Sequence, residues 1–214
     1  MFLIKNLGTK DYINIYKDMI DLSRHFSSTQ KSEIWKLEHF PIFTQGKYNG
    51  STHKQLQSDS NFPLGCPVII TDRGGGITYH GPGQGIVYFM LNLKIIKIGA
   101  RKLIEVIEDS GITLLRSYGI NASKIEEYPW VYVDNKKILS IGLRVKKNIT
   151  YHGISINVNM NLNPFSYIDP CGQKALKMTQ ISDFCPKIRV KKVLDKYVSV
   201  FTKNIKIFFK TPLV

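Results

Sequence analysis

The chain has 214 residues, 30 of them lysine or arginine against 16 acidic ones, for a formal net charge of +14. That length suits one domain burying roughly 70% of its extended-chain surface, and the positive field points to an acidic partner: nucleic acid, anionic lipid or an acidic protein. No apolar run approaches the roughly 18 residues of a membrane span, Lys5 interrupts Met1–Ile4 before it becomes a secretory core, and Asp11, Asp18 and Asp21 argue against a transit peptide, so a soluble cytoplasmic protein is expected.

Phe2 to Leu7 reads as a first strand, and Asp11 is placed to cap a helix with Tyr12, Ile13, Tyr16, Met19 and Ile20 at helical spacing, read as scaffold. Ile34 to His39 and Pro41 to Thr44 read as two short strands. Gln45 to Phe62 is polar, carries Asn49-Gly50 and has no periodicity, which predicts a long surface loop. Cys66 then opens an apolar run, Pro67 to Ile70, with the look of a buried strand, in which it serves as a small core residue.

Arg73 to Gly85 is the densest glycine stretch in the chain, between two apolar runs. Glycine at that density is costly in conformational entropy, and an ordinary hairpin turn needs only two to five residues; a longer one suggests close backbone approach to a ligand. It is neither a phosphate loop nor a dinucleotide fingerprint, because no Gly-Lys-Ser/Thr follows and the spacing is wrong. A long hairpin without a ligand is the plain alternative.

Ile86 to Leu93 reads as an inner strand. Leu103, Ile104, Ile107, Leu114, Leu115 and Tyr118 make one helical face that Gly119 ends, with Gly111 on it allowing close packing. Trp130 to Val133, the Asp134-Asn135 turn and Lys136 to Val145 form a hairpin, and Lys146-Lys147-Asn148 turns the chain into Ile149 to Val158. There Ile154, Ile156 and Val158 alternate with Ser155 and Asn157, carrying a polar face through the middle of a sheet. Asn159 to Gly172 is expected as a loop, and Val190 to Phe208 as a basic amphipathic helix. Strands and helices alternate without regular βαβ units, which favours a single α/β or α+β domain, spanning 1–214, around a mixed sheet flanked by helices.

The three cysteines, Cys66, Cys171 and Cys185, form no Cys-x-x-Cys pair and leave one over in any pairing, which favours a reducing compartment; the five histidines lack metal-ligand spacing, so no metal is expected. Cys171 stands out in a Pro-Cys-Gly turn. A thiol of ordinary pKa, about 8.5, is mostly protonated at neutral pH, so a nucleophilic role needs a nearby cation or N–H donors. His80, His152, Lys136 and Lys137 are the candidates, and strand alternation sends the two lysines to opposite faces without saying which one faces the site. An inert loop cysteine and loop-pinning histidines are the competing readings.

The blocks Arg73-Gly-Gly-Gly-Ile-Thr-Tyr-His-Gly-Pro-Gly-Gln84, Lys137-Ile-Leu-Ser-Ile-Gly142, Tyr151-His-Gly-Ile-Ser-Ile-Asn-Val158 and Pro170-Cys-Gly172, with Trp35-Lys-Leu-Glu-His39 before them, together resemble the lipoyl (octanoyl) transferase family, LipB. The resemblance runs from about Ile34 to Thr179. It departs at Gly76, where a larger polar residue is common, at Asn161 in place of Asp, and at Gln180 in place of Ser, positions that bear on fine substrate fit. It implies the fold of the biotin and lipoate protein ligases, and transfer of an octanoyl group from acyl carrier protein to a lysine of lipoyl domains, those of 2-oxoacid dehydrogenase E2 subunits and of the glycine-cleavage H protein. It further implies Cys171 as the acyl-accepting nucleophile and Lys137 as its partner. Arg73, Gly74, Gly75, Gly76, Ile77, Thr78, Tyr79 and His80, with Ser140, Ile141 and Gly142, and with His152, Gly153, Ile154 and Ser155, are then expected to wall the acyl site and offer N–H groups to the oxyanion. No cofactor is implied, and neither nucleic acid nor membrane is an expected partner; a monomer is. An ATP-dependent lipoate or biotin protein ligase, an octanoyl amidotransferase and a nucleic-acid-binding module are the rival readings.

Overall fold

The computed structural model describes residues 2–27, 29–47, 65–125, 128–170 and 176–209. Among the described residues, ten strands make two sheets. The larger sheet runs β1–β2–β6–β10–β9–β8–β7, where β1 is Leu3–Lys10, β2 Glu33–His39, β6 Gln84–Met90, β7 Ser123–Ile125, β8 Tyr128–Val133, β9 Lys136–Lys146 and β10 Ile149–Asn157. Only β1 and β2 pair in parallel in it; every other neighbour is antiparallel. The smaller sheet has β3 (Ile42–Gln45) between β4 (Val68–Ile70), parallel to it, and β5 (Ile77–His80), antiparallel.

One face of the larger sheet carries the main core. Helix α3 (Ala100–Arg116) and helix α4 (Val190–Phe209) cover it, following the short α2 (Leu93–Ile96). Leu103, Ile107, Leu114 and Leu115 of α3 and Val193, Tyr197, Phe201 and Ile205 of α4 are buried against Val131, Leu139, Ile154 and Ile156. Phe201 meets Phe89 at 4.6 Å between ring centroids. Gly111 packs where a methyl group would stand 2.8 Å from Leu139, so the close approach read from the sequence is present. Gly119 ends the helix at φ +75°, as a left-handed cap does.

The two tight hairpins are built as their sequences predict. Asp134 and Asn135 sit at φ 48° and 59°, Lys147 and Asn148 at 49° and 64°, the paired left-handed geometry that matches strand twist. Several boundaries differ from expectation. The glycine-rich stretch is not one loop, since Ile77–His80 is a strand of the small sheet and Gln84 already begins β6. Gln45 is a buried strand residue, and the predicted loop from Gln45 to Phe62 lies from residue 48 onward outside the described residues. The run after Cys66 is a half-exposed edge strand with Ile70 63% exposed, because β3 shields it on one side only. A 3-10 turn at Asn163–Tyr167, led by Pro164, lies inside the predicted loop Asn159–Gly172. Among the described residues, no helix is long and apolar enough to cross a membrane.

Candidate active site

The opposite face of the larger sheet faces α1 (Tyr12–Arg24) and the small sheet across a cleft. Its floor is the polar side of β9 and β10. Ser140 pairs with Ser155 and Gly142 with Gly153, while Ile154 and Ile156 point into the core behind. At Gly153 a methyl group would stand 2.0 Å from the Val87 carbonyl oxygen, so this floor position accepts only glycine.

Lys137 reaches that floor through a strand irregularity. Val131 pairs with Leu139 but Tyr132 pairs with Lys137, which leaves Ile138 as an extra residue in β9. Ile138 and Leu139 therefore both face the core, and Lys137 comes into phase with Ser140 and Gly142. Lys137 is 2% exposed, with its ammonium 3.5 Å from the centroid of the Trp130 ring, an attractive cation–π contact. Its backbone also makes an isolated β-bridge to Met178: Lys137 N–H donates to the Lys177 carbonyl at 2.9 Å and Thr179 N–H to the Lys137 carbonyl at 3.0 Å. Lys136 is exposed. Cys171 and Gly172 lie outside the described residues.

The roof is the segment from Asp72 to Thr78. Gly74 N–H donates to the Leu143 carbonyl at 3.1 Å, Gly46 N–H to Gly76 at 3.1 Å and Lys47 N–H to Arg73 at 3.0 Å. Arg73 is buried and donates from Nε to Thr44 Oγ1 at 3.1 Å and from a terminal nitrogen to the Gly74 carbonyl at 2.9 Å. It thus fastens the roof to β3 while lining the cleft. The carbonyl of Gly76, one of the departures from the family pattern, is part of this fastening. Gln180, another, closes a reciprocal cap with Asp183 and accepts from Met160 N–H at 2.7 Å.

Two histidines face the cleft from buried positions. His80 donates from Nδ1 to Gln84 Oε1 at 2.8 Å, and Gln84 donates on to Asn157, which donates to the Thr179 carbonyl. Burial pushes the His80 pKa down to about 3, with His39 and Arg73 adding to the effect, so the ring is neutral at pH 7. His152 stands at φ +58°, and that turn of the backbone swings its ring to the cleft side although its partner Leu143 packs on the core side. It donates from Nε2 to Asp72 Oδ1 at 3.0 Å; its buried Nδ1 has no hydrogen-bond partner among the described residues. Burial lowers its pKa against the pull of Asp72. Burial alone would raise the Asp72 pKa, but bonds from His152, Tyr151 and Tyr16 outweigh it and hold the carboxyl well below the usual range. A neutral imidazole thus donates to a carboxylate, and Asp72 ties the start of the roof to α1 and β10.

The cleft therefore brings together all the expected wall residues from Arg73 to Thr78, His80, Ser140 to Gly142 and His152 to Ser155. Tyr79 is the exception. Strand alternation turns it into the small core beneath the small sheet, against Phe43 at 5.1 Å and Phe165 at 5.8 Å. Tyr12, Tyr88 and Trp130 also line the cleft and were not expected there. Helix α1 is consequently more than scaffold, and Ile13, placed on its inner face by spacing, is 41% exposed while Ile15 is buried. Nothing in the spacing of Tyr12, Tyr88 or Trp130 separates them from ordinary core aromatics; only the place of Tyr12 on α1 across the cleft and the pairing of Tyr88 with Gly153 and of Trp130 with Ser140 do.

A mixed sheet with helices over one face and a glycine-roofed cleft over the other defines the fold class of the lipoate and biotin protein ligases. The chain is similar in fold to lipoate-protein ligase A bound with ATP, with TM-score 0.72 at 13% identity over 96% of this chain and 85% of that one. It is similar also to biotin protein ligase from Aquifex aeolicus, with TM-score 0.54 at 16% identity over 99% and 72%. The signature of the "Lipoyl protein ligase A/B catalytic domain" spans residues 19–202. Proteins named octanoyltransferase from Francisella tularensis subsp. tularensis (92% of this chain, 93% of that one) and from Buchnera aphidicola subsp. Acyrthosiphon pisum (97% and 96%) are each 41% identical. The chain belongs to the lipoyl protein ligase A/B family, on its octanoyltransferase branch, and is an acyltransferase.

Proposed function

We propose that this enzyme moves an octanoyl group from octanoyl-acyl carrier protein to a specific lysine of lipoyl domains, those of 2-oxoacid dehydrogenase E2 subunits and the glycine-cleavage H protein, through a thioester on Cys171. The observation that carries the reading is the Lys137 head, buried on the cleft floor beside Ser140 and Gly142 by the bulge in β9. A cation so placed suits a thiolate.

In the first half-reaction the Cys171 thiolate attacks the carrier's thioester carbonyl, and N–H groups of the glycine-rich walls steady the oxyanion. Collapse expels the carrier thiolate, which takes a proton from Lys137. In the second half the acceptor ammonium, of ordinary pKa about 10.4, gives a proton to the neutral Lys137 and the freed amine attacks the thioester. The Cys171 thiolate leaves, the second proton of the acceptor nitrogen passes to solvent as the amide forms, and the resting pair is restored. Thioester exchange is nearly isoenergetic and amide formation drives the sequence, so neither ATP nor a cofactor is required. The +14 charge suits acidic carriers, and steering makes the apparent second-order rate fall as ionic strength rises. The reading places the enzyme in the cytoplasm as a monomer.

Intact mass spectrometry after mixing with octanoyl-acyl carrier protein, without ATP or acceptor, tests this. A single hydroxylamine-labile octanoyl adduct on Cys171, absent in Cys171→Ala and chased onto added lipoyl domain, is the expected result. No adduct from an active donor would remove the thioester route and turn attention to ATP-dependent activation.

A further inference from the structure

Four lysines lie over aromatic rings among the described residues: Lys5 over Trp35 at 5.5 Å, Lys102 over Phe208 at 5.7 Å, Lys196 over Tyr118 at 4.6 Å and Lys137 over Trp130 at 3.5 Å. The side chains of Lys5 and Lys102 are 41% and 50% exposed, whereas Lys137 and Trp130 are 2% and 3% exposed. At the surface water competes for an ammonium and weakens its attraction to a ring; between dry partners the attraction is stronger, and indole has the best ring face for it. The contact on the cleft floor is thus both the shortest and the driest of the four.

Strand pairing explains why the two side chains meet. Tyr128, Trp130 and Tyr132 follow one another on one side of β8, with Val131 and Val133 turned to the core on the other. Trp130 pairs with Ser140 and Tyr132 with Lys137, so the lysine stem starts two rows past the indole and reaches back over it. Tyr128 stacks on the indole at 4.7 Å with 16° between the planes and braces it. A lysine stem has many rotamers, and a ring face attracts the ammonium but not the neutral amine. The indole therefore selects both where the head stands and which protonation state it keeps.

We infer that Trp130 is a positioning residue for the Cys171 chemistry, its ring face holding the Lys137 head in place and in the ammonium form so that a cation stands ready for the thiolate. This rests on the reading that Lys137 activates Cys171. Without the ring the head is free to move and the pair shifts from thiolate and ammonium towards thiol and amine, with no change in the number of protons held.

The test is the rate at which iodoacetamide alkylates Cys171 at neutral pH, read by peptide mass spectrometry, because that rate follows the thiolate fraction. Mono-, di- and trifluorotryptophan placed at position 130 alone keep the indole shape and progressively drain its ring face. The rate is expected to fall with each fluorine, to about thirtyfold below wild type, equivalent to about 2 kcal/mol, in the trifluoro protein and in Trp130→Leu, with Trp130→Tyr in between. Single-turnover kcat for acylation by octanoyl-acyl carrier protein is expected to follow the same order while KM stays near wild type. A flat fluorine series, in a protein where Lys137→Ala does slow alkylation, would show that the indole acts by packing alone and overturns the inference. Lys137→Ala alkylated as fast as wild type would instead remove the reading of Lys137 on which it stands. The contact itself is read by NMR: the Lys137 ε-methylene protons, assigned by their loss in Lys137→Ala, are expected upfield of the other lysines from the indole ring current, and an ordinary position overturns the inference whatever the rates.

Discussion

The two faces of the seven-stranded sheet obey different rules. On the helix-covered face β8, β9 and β10 present an unbroken apolar surface of Val131, Leu139, Ile154 and Ile156 to α3 and α4. On the cleft face the same strands break alternation twice, at the bulge that turns Lys137 inward and at the positive φ that turns His152 inward. Regular pairing maximises burial but repeats only one geometry; aiming a particular head group requires a local departure, which the regular face behind it holds in place.

The largest effect that separates the faces is expected at the bulge. Lys137→Ala should slow single-turnover acylation of Cys171 by about a thousandfold, within the range general acid–base groups contribute, while Lys136→Ala changes acylation and stability little. Quench-flow mass spectrometry of the two variants checks it. Equal loss in both would mean that charge at the strand's start matters and the bulge does not. Phe201→Ala is the counterpart on the regular face, where an aromatic deletion costs about 3–5 kcal/mol of stability and leaves acylation per folded molecule near wild type. Urea unfolding and active-site titration separate the two quantities.

That contrast explains what could be read without coordinates. The α3 and α4 faces follow the helical period, and the two hairpins follow their turn residues, because each depends on neighbours in sequence. The wall residues were legible only as unusual blocks, and the physical reading of one pair was open. Strict alternation from Ser140 and Gly142 selects Lys136 for the cleft, and Ile138 as an extra core residue reverses it. A bulge leaves no mark in Lys-Lys-Ile-Leu, so the resemblance, not periodicity, singled out Lys137. Tyr79 failed the other way: although it lies inside one of the blocks that carry the resemblance, alternation in β5 sends it to the small core. Tyr12 joins the site through the crossing of α1 over β6 and Tyr88 through the pairing of β6 with β10, long-range contacts that no local pattern encodes.

The cleft face is also where pH acts. Burial holds His39 down to about 4 in the folded protein, against about 6.5 unfolded. Between those values the unfolded chain binds more protons, so stability is fully present above about pH 6.5 and declines as the pH falls towards 4, by on the order of 3 kcal/mol for this one group. Thermal melts at pH 7, 5.5 and 4.5 are expected to show the decline in wild type and in Phe201→Ala alike, and a shallower one in His39→Gln. An unaltered slope in His39→Gln would move the titration to His80 or His152.

The smallest effect tests whether α1 belongs to the cleft by its packing or by its capping. Asp11 accepts from Asn14 N–H at 3.0 Å and starts the helix one residue before Tyr12. Losing such a cap costs about 1 kcal/mol. Tyr12, however, is held by His39 and His80, and Tyr16 by Asp72, contacts that do not pass through the cap. Asp11→Ala is therefore expected to lower stability by about that amount in urea unfolding while acylation per folded molecule stays within about twofold of wild type. A much larger loss of acylation would show that the helix start, not the ring contacts, sets where Tyr12 stands. The cleft face would then depend on a local signal that is plain in the sequence, and the division between the two faces would be less sharp than their strand geometry suggests.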